Sequence, residues 1–176
     1  GTYEIESERR GYALELAVDF VRMEYTRHRF WEKDDTPVVP LKSQTLEDVI
    51  GTWPQGKINV RIGDYMFRPH QKWTITAVPD GGGYLGGPYY KIVIEGTNRA
   101  LAATADAEVV TVPEFTGAPE QLWRIDQLTD GTYRIMPKEV PGTDKELVLV
   151  SVGDSTPSLG EFDMNSDNSK WNFRDH

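Results

Sequence analysis

The sequence predicts an all-β protein built from three related units, and three observations support this prediction. Short segments alternate apolar and polar side chains with a period of two and are rich in Val, Ile, Thr and Tyr, which is typical of strands. Clusters of Gly, Pro, Asp and Asn separate these segments and indicate turns. Trp recurs at positions 73, 123 and 171, each time after a polar stretch, which indicates an internal repeat.

The strand-like segments run along the whole chain. In order they are TYEIES (2–7), YALELAV (12–18), KINVRI (57–62), KWTITAV (72–78), YYKIVIEG (89–96), LWRID (122–126), TYRIM (132–136) and ELVLVSV (146–152). SQTLEDVI (43–50) favours a helix, because Ser43 or Thr45 suits the N-cap and acidic residues follow in the first turn. The glycine-rich PDGGGYLGGP (79–88) is expected to be a flexible hairpin loop. Many short strands at this spacing form a sandwich or a closed barrel.

The repeat decides between these two architectures. Aligned on the tryptophans, each unit opens with a Gly/Tyr strand and carries an internal strand, RIGDY (61–65), TVPEF (111–115) or SLGEF (158–162). Four strands per unit and three units of about 50 residues describe a β-trefoil. We therefore expect a single domain over residues 1–176, with repeats at about 1–78, 79–126 and 127–176. The tryptophans should lie in its core together with Leu14, Leu16, Ile62, Ile92, Ile94, Leu101, Ile125, Leu147 and Leu149.

Composition narrows the possible partners. The net charge of −9 and the pI near 4.8 argue against nucleic acid, because phosphates would repel the chain. The absence of cysteine excludes disulfides and thiolate chemistry. No stretch of 18 apolar residues occurs, so membrane insertion is not expected. The prediction is a soluble protein, either cytoplasmic or secreted without disulfides, and it leaves open whether a signal peptide precedes Gly1.

No catalytic pattern stands out in the sequence. The three histidines, His28, His70 and His176, lack HxxxH or HExxH spacing, so a zinc site has no support. GxSxG and P-loop motifs do not occur. We therefore expect a binding protein rather than an enzyme, with no cofactor and no metal.

The frame GTYEI…G.ALEL…(I/L)G(D/E)(Y/F)…QKW resembles the ricin-B-type β-trefoils, particularly their cysteine-free fungal members, over nearly the whole chain. The resemblance implies a carbohydrate-binding protein for galactose or N-acetylgalactosamine, with glycans or glycoproteins as partners. In such lectins a carboxylate on the second strand of a unit holds two sugar hydroxyls. An aromatic residue from the third strand stacks on the apolar sugar face, and a polar group precedes the Gln-x-Trp.

The first unit matches this pocket best. The resemblance places Glu15, expected to face outward between Leu14 and Leu16, at the carboxylate position, Tyr65 at the aromatic position and His70 before Gln71. The candidate sugar site comprises Glu15, Asp19, Tyr65, Arg68 and His70.

The other two units lack the carboxylate. Unit two carries Ala102, Phe115 and Glu120 at the three positions, and unit three carries Val148, Phe162 and Asn168. We expect both units to be silent, so agglutination by this chain would require a homodimer.

The first unit also contains a long insertion, at about residues 19–57. Between the second and third strands it has residues 17–60, where the other units have about six to eight residues, and compact domains rarely keep such a loop without a role. It carries the densest basic and aromatic cluster, RMEYTRHRFW (22–31). It is either a cap on the barrel, a wall beside the first-unit pocket, a dimer contact or an inhibitory loop.

The inhibitory alternative follows from a second resemblance. In one fungal family of serine-protease inhibitors with this fold, the loop between the second and third strands enters the protease. A protease is therefore an alternative partner. Arg27, Arg29, Lys33 and Lys42 are the candidates for the acidic specificity pocket of a trypsin-like enzyme.

Overall fold

A computed structural model describes residues 1–9, 11–21, 38–40, 50–51, 53–84, 87–152 and 156–175, with backbone only at 19–21, 38–40 and 84. The first unit contains β1 (Thr2–Ser7), β2 (Ala13–Leu16), β3 (Asp19–Val21), β4 (Val38–Pro40), β5 (Ile58–Gly63) and β6 (Trp73–Tyr84). The second contains β7 (Gly87–Ile94), β8 (Ala100–Ala103), β9 (Val109–Val112) and β10 (Trp123–Gln127). The third contains β11 (Tyr133–Pro137), β12 (Val148–Val152), β13 (Thr156–Gly160) and β14 (Trp171–Asp175). A one-turn 3-10 helix precedes each closing Trp, at Pro69–Gln71, Pro119–Gln121 and Asp167–Ser169.

The first and last strands of the three units close into a barrel. β1 pairs with β6, β6 with β7, β7 with β10, β10 with β11, β11 with β14, and β14 with β1, all antiparallel. Closure pairs every one of these strands on both sides, so the barrel has no free edge. This arrangement confirms the predicted β-trefoil of three four-stranded units, the first of which carries β3 and β4 in its insertion.

Apart from β3 and β4, the remaining strands of each unit form antiparallel pairs that meet at one end of the barrel. The hairpins are β2–β5, β8–β9 and β12–β13. β5 also pairs with β9 through Ile58 and Thr111, and β13 packs against both. The three hairpins therefore cover the core from one side.

The repeated tryptophans are the centre of this core. Trp73, Trp123 and Trp171 have no exposed surface. Each indole Nε1 donates a hydrogen bond of 2.9 Å to a backbone carbonyl on the second strand of its own unit, at Leu14, Leu101 and Leu149 respectively. Because a buried indole N–H needs an acceptor, this bond fixes the hairpin to the barrel in every unit.

The predicted core residues are buried with one exception. Ile125 is only partly buried, because it lies two residues beyond Trp123 at the open end of the barrel. Trp53, at the end of the insertion, belongs to the core cluster and is 4% exposed.

One local prediction is corrected, one feature was not predicted, and one prediction cannot be assessed. The described part of the glycine-rich segment is extended rather than a loop, since β6 continues to Tyr84, with a register shift between Val78 and Gly83, and β7 begins at Gly87. A Cβ at Gly83 would lie 2.7 Å from the carbonyl oxygen of Gly87, so glycine permits the close approach of the two strands. The short parallel pair β3–β4 was not predicted, because three-residue strands carry too little alternation. The predicted helix, apart from Ile50, lies outside the described residues.

Candidate functional site

The candidate site of the first unit is organised around Glu15 on β2. Its side chain is 2% exposed and faces Arg61 on the neighbouring strand β5. The Oε2 atom accepts a hydrogen bond of 2.7 Å from Arg61 Nε, and Oε1 accepts one of 2.9 Å from Gln71 Nε2. His70 Nε2, on a fully buried ring, lies 3.5 Å from Oε2. The prediction that the Glu15 carboxylate faces outward is therefore wrong, because the 3-10 turn that carries His70 and Gln71 covers β2.

These neighbours keep the carboxylate charged. Burial alone would raise the pKa of Glu15, but the neighbouring His70 ring and the hydrogen bonds from Arg61 and Gln71 together hold it below the usual 4.5. A charged acceptor with several donors is a stable buried arrangement, since burying an unpaired charge is costly. Glu15 thus acts as a fixed internal anchor.

Gln71 connects this anchor to the surface. Its Nε2 also donates to the Asp64 carbonyl and its Oε1 accepts from the Met66 N–H, both at 2.7 Å. The same residue in unit two, Gln121, accepts from the Thr116 N–H at 2.7 Å. The Gln of each Gln-x-Trp therefore holds the loop that follows the third strand.

In the first unit, this loop presents two aromatic rings. Tyr65 and Phe67 have ring centroids 4.6 Å apart with planes tilted by 59°. Phe67 is 73% exposed and has a φ of 58°, a conformation that costs a bulky residue about 1–2 kcal/mol. Unit two has Gly117 at the corresponding place, with a φ of 85°. Sequence reasoning missed Phe67. An alignment of the first two units on their Gln-x-Trp motifs places DYMF (64–67) over EFTG (114–117) and would have identified a Phe where unit two has a Gly.

The aromatic rings of the other two units are covered by cations of the chain itself. Lys91 Nζ lies 5.4 Å from the Phe115 ring centroid, and the Arg134 guanidinium lies 5.2 Å from that of Phe162. Lys91 precedes the buried Ile92, and Arg134 precedes the buried Ile135. In unit one, the residue before the matching isoleucine is Glu4. Burial raises the pKa of Tyr65, and the nearby carboxylates of Glu4 and Glu95 raise it further. The first-unit aromatic site is therefore electrostatically different from the other two.

One expected equivalence is corrected. Because Leu149 and Leu14 both accept from their tryptophans, the residue that matches Glu15 in unit three is Val150 rather than Val148. The match in unit two stays Ala102, beside Leu101. Neither unit has the carboxylate.

The remaining predicted residues are only partly described. Arg68 is half-buried and stands at the start of the 3-10 turn next to His70. Asp19 lies on β3, where the backbone alone is described. The four basic residues of the proposed inhibitory loop, Arg27, Arg29, Lys33 and Lys42, lie outside the described residues.

Gly63 is expected to be essential for this packing. A Cβ built there would lie 2.7 Å from Glu15 Oε1, so Gly63→Ala must displace the carboxylate and should lower the free energy of unfolding by about 1–3 kcal/mol. Gly160, its counterpart in unit three, is the matched control, because a Cβ there would meet Val150 at an ordinary 3.5 Å. Urea denaturation of both variants measures the difference. Equal stability of the two would contradict the proposed close packing on Glu15.

Within the described residues, no group of three or more His, Asp or Glu side chains is arranged to hold a metal ion. The described part of the chain likewise contains no helix long and apolar enough to span a membrane.

Comparison with solved structures shows the same fold across nearly the whole chain. A designed threefold-symmetric protein, ThreeFoil, matches with a TM-score of 0.61 at 19% identity, covering 99% of both chains. The lectin of Polyporus squamosus matches with a TM-score of 0.61 at 15% identity, covering 98% of this chain and 48% of the lectin. The β-trefoil lectin of the Vibrio vulnificus hemolysin/cytolysin matches with a TM-score of 0.60 at 13% identity, covering 98% of this chain and 92% of that domain.

Some of the structural matches are much longer proteins. A mosquitocidal holotoxin matches with a TM-score of 0.63 at 14% identity, and this chain spans only 17% of its length. No curated protein sequence matches the chain significantly. The profile of the family described as ricin-type beta-trefoil lectin domain-like matches residues 69–158, just over half of the chain. The three indole-anchored units and this match show that the chain belongs to the ricin-type β-trefoil lectin-like family.

Proposed function

We propose that this chain is a non-catalytic carbohydrate-binding protein whose principal sugar site lies in the first unit. The observation that carries the proposal is the aromatic pair of the partly buried Tyr65 and the exposed Phe67. A pyranose has an apolar face of C–H groups that stacks on aromatic rings. Phe67 retains its exposed ring in a backbone conformation that favours glycine, and such strain is concentrated at functional sites.

The polar groups around the rings have separate roles in this proposal. Arg61 donates to Glu15 and to the Val18 carbonyl, and its side chain is 28% exposed. In this proposal Arg61 and the half-buried Arg68 are the cations that border the sugar. Glu15 and His70 are too deeply buried for direct contact with sugar in this conformation. Glu15 acts instead as a positioning residue, because its carboxylate holds both Arg61 and the Gln71 side chain that fixes the aromatic loop. Asp19 stays a proposed site residue on the strand that follows β2.

Two of the similar structures support a glycan partner. The Polyporus squamosus lectin was solved with Neu5Acα2-6Galβ1-4GlcNAc and the Vibrio vulnificus domain with N-acetyl-D-lactosamine. We propose glycans of the galactose or N-acetylgalactosamine type for this chain. A glycan array is the direct measurement of that specificity.

Phe67→Gly is expected to weaken sugar binding about tenfold or more without unfolding the protein. Covering a Phe ring contributes about 1.5–3 kcal/mol, and 1.4 kcal/mol is tenfold in affinity. Glycine relieves the strained φ, which offsets its own entropic cost of about 0.4–1 kcal/mol. Calorimetric titration with the best glycan from the array measures the affinity, and thermal unfolding measures the stability.

Met164 provides the matched control for this variant. It lies two residues after Phe162, as Phe67 lies two residues after Tyr65, and is 71% exposed, so Met164→Ala removes similar apolar surface at a unit that we expect to be silent. Its affinity should equal that of the parent chain. Unchanged affinity in Phe67→Gly, or equal losses in both variants, would refute the first-unit site.

A further inference from the structure

The open end of the barrel contains a cavity of about 510 Å³, within the 300–1,000 Å³ typical of small-molecule sites. We call it the barrel-mouth cavity. One tyrosine and one apolar side chain from each unit line it: Tyr3, Tyr90 and Tyr133, and Ile75, Ile125 and Phe173. All six are half-buried, and none belongs to the first-unit site.

The threefold repeat brings these six residues together. Each tyrosine pairs across the ladder with the core tryptophan of its own unit: Tyr3 with Trp73, Tyr90 with Trp123, and Tyr133 with Trp171. The apolar residue of each unit follows that tryptophan by two positions. Residues two apart on a strand lie on the same face, so the six side chains surround the barrel axis next to the tryptophan layer.

The aromatic residues of the cavity stand as walls. The Phe173 ring centroid lies 5.9 Å from that of Tyr3 and 5.1 Å from that of Tyr133, with the ring planes at 70° and 71°. Rings that meet at such angles form adjacent walls, whereas stacked rings would fill the space. Because the face of an aromatic ring attracts positive charge, several such rings around one cavity favour a cation inside it.

The ionic groups of the lining also favour a cation over an anion. The exposed Asp175 lies at the rim, and the described lining contains no lysine or arginine. The Gly1 amine, the one cationic group of the described lining, donates a hydrogen bond of 3.2 Å to the Ile75 carbonyl. The net charge of −9 adds a field that attracts cations and repels anions.

We propose that the barrel-mouth cavity binds a quaternary ammonium group of the choline type. Aromatic cages recognise such groups through cation–π attraction. A quaternary ammonium has methyl groups instead of N–H donors, so it needs no hydrogen-bond acceptors in an apolar cavity. A primary ammonium is strongly hydrated and would lose that hydration on entry. This activity is separate from the proposed carbohydrate-binding function and does not rest on it.

Calorimetric titration of the full chain with choline chloride tests the proposal. The matched control ligand is 3,3-dimethylbutanol, which has the shape of choline with a neutral carbon in place of the charged nitrogen. Choline should bind about tenfold more tightly than this alcohol, the effect of a desolvated cation–π contact. No binding of choline at millimolar concentrations, or equal affinity for the two ligands, would overturn the proposal.

A second titration distinguishes the sources of the group. Vesicles of phosphatidylcholine present it as a lipid headgroup, and vesicles of phosphatidylglycerol are their control. Choline binding together with selective binding to phosphatidylcholine vesicles supports the site with a lipid as its source. Choline binding without vesicle binding supports the site with a small soluble ligand.

Variants at Tyr133 separate the aromatic ring from its apolar volume. Tyr133→Leu should weaken choline binding about three- to tenfold, because one wall of the cage is lost. Tyr133→Phe keeps the ring and should bind like the parent chain. Thermal unfolding checks that both variants are folded. Parent-like choline affinity in folded Tyr133→Leu would show that the ring does not hold the cation.

Two further variants keep the proposal testable if Tyr133→Leu does not fold. Asp175→Asn, at an exposed residue, should weaken choline binding about two- to fivefold and leave the affinity for 3,3-dimethylbutanol unchanged. Equal affinity of this variant and the parent for choline would count against the site. Phe67→Gly should keep the parent's choline affinity even if it loses glycan binding. Loss of choline binding in Phe67→Gly would place the cation at the first-unit site and overturn the proposal.

Discussion

Trp123→Ala is expected to lower the free energy of unfolding by about 3–5 kcal/mol, the usual cost of removing a large aromatic side chain from a core. The indole has no exposed surface, so the variant would leave a cavity between the barrel and the β8–β9 hairpin. The carbonyl of Leu101 would also lose its donor. Chemical denaturation monitored by circular dichroism measures this change.

The threefold arrangement makes this prediction stricter. Trp73→Ala and Trp171→Ala should cost similar amounts, because each indole is fully buried and makes the same 2.9 Å bond within its unit. Met164→Ala, at a residue that is 71% exposed, serves as the control and should change stability by less than about 0.5 kcal/mol. A tryptophan variant that unfolds like this control would show that its indole is not part of the core.

Glu15→Ala is expected to cost about 2–3 kcal/mol of stability at neutral pH. The variant removes the acceptor of Arg61 Nε and Gln71 Nε2, and hydrogen bonds to charged groups contribute about 1.5–3 kcal/mol. Breaking a fully buried ion pair costs about 3–5 kcal/mol. The smaller value applies here because the Arg61 side chain is 28% exposed and can reach water. Glycan affinity should fall as well, since the aromatic loop loses its support.

The control for Glu15→Ala is Val150→Ala, at the matching position of unit three. That change removes apolar contacts without breaking a polar network, so glycan affinity should stay at the parent value. Parent-like affinity in folded Glu15→Ala would separate Glu15 from the sugar site and leave it a purely structural residue.

The Glu15 contribution should depend on pH. The folded-state pKa lies below the usual 4.5, so the unfolded chain binds the proton more readily than the folded chain. The stabilisation is therefore complete above about pH 4.5 and is lost as the pH falls through the lower folded-state pKa. The stability difference between the parent and Glu15→Gln, measured by denaturation from pH 7 to pH 3, should shrink below pH 4.5. A difference that stays constant over this range would show that the carboxylate charge is not what holds the network.

The sequence predicted the overall fold because the β-trefoil repeats its chemistry. Alternation with period two marked most of the barrel strands, and the spacing of Trp73, Trp123 and Trp171 marked the units. Each core indole donates a hydrogen bond to a carbonyl of its own unit, so the units that the sequence repeat marks are also the structural units.

The candidate site was predicted only in outline. Glu15 and Tyr65 stay predictions made from their positions. The register of unit three was misplaced, because Val148, Leu149 and Val150 are all apolar and alternation does not mark it. The hydrogen bond from Trp171 to Leu149 settles that register. Phe67 was missed because an exposed aromatic residue in a loop has no periodic signal.

The class of fold, the number of units and most residues of their cores follow from the order of residue types along the chain, since burial acts on residue type and spacing. The environment of Glu15 follows only from the folded structure. Its partners Arg61 and Gln71 lie 46 and 56 residues away along the chain, and the 3-10 turn of another segment removes it from water. Charge, burial and accessibility at a site depend on groups that are distant in sequence, so folding alone makes this carboxylate an internal anchor and Phe67 an exposed surface.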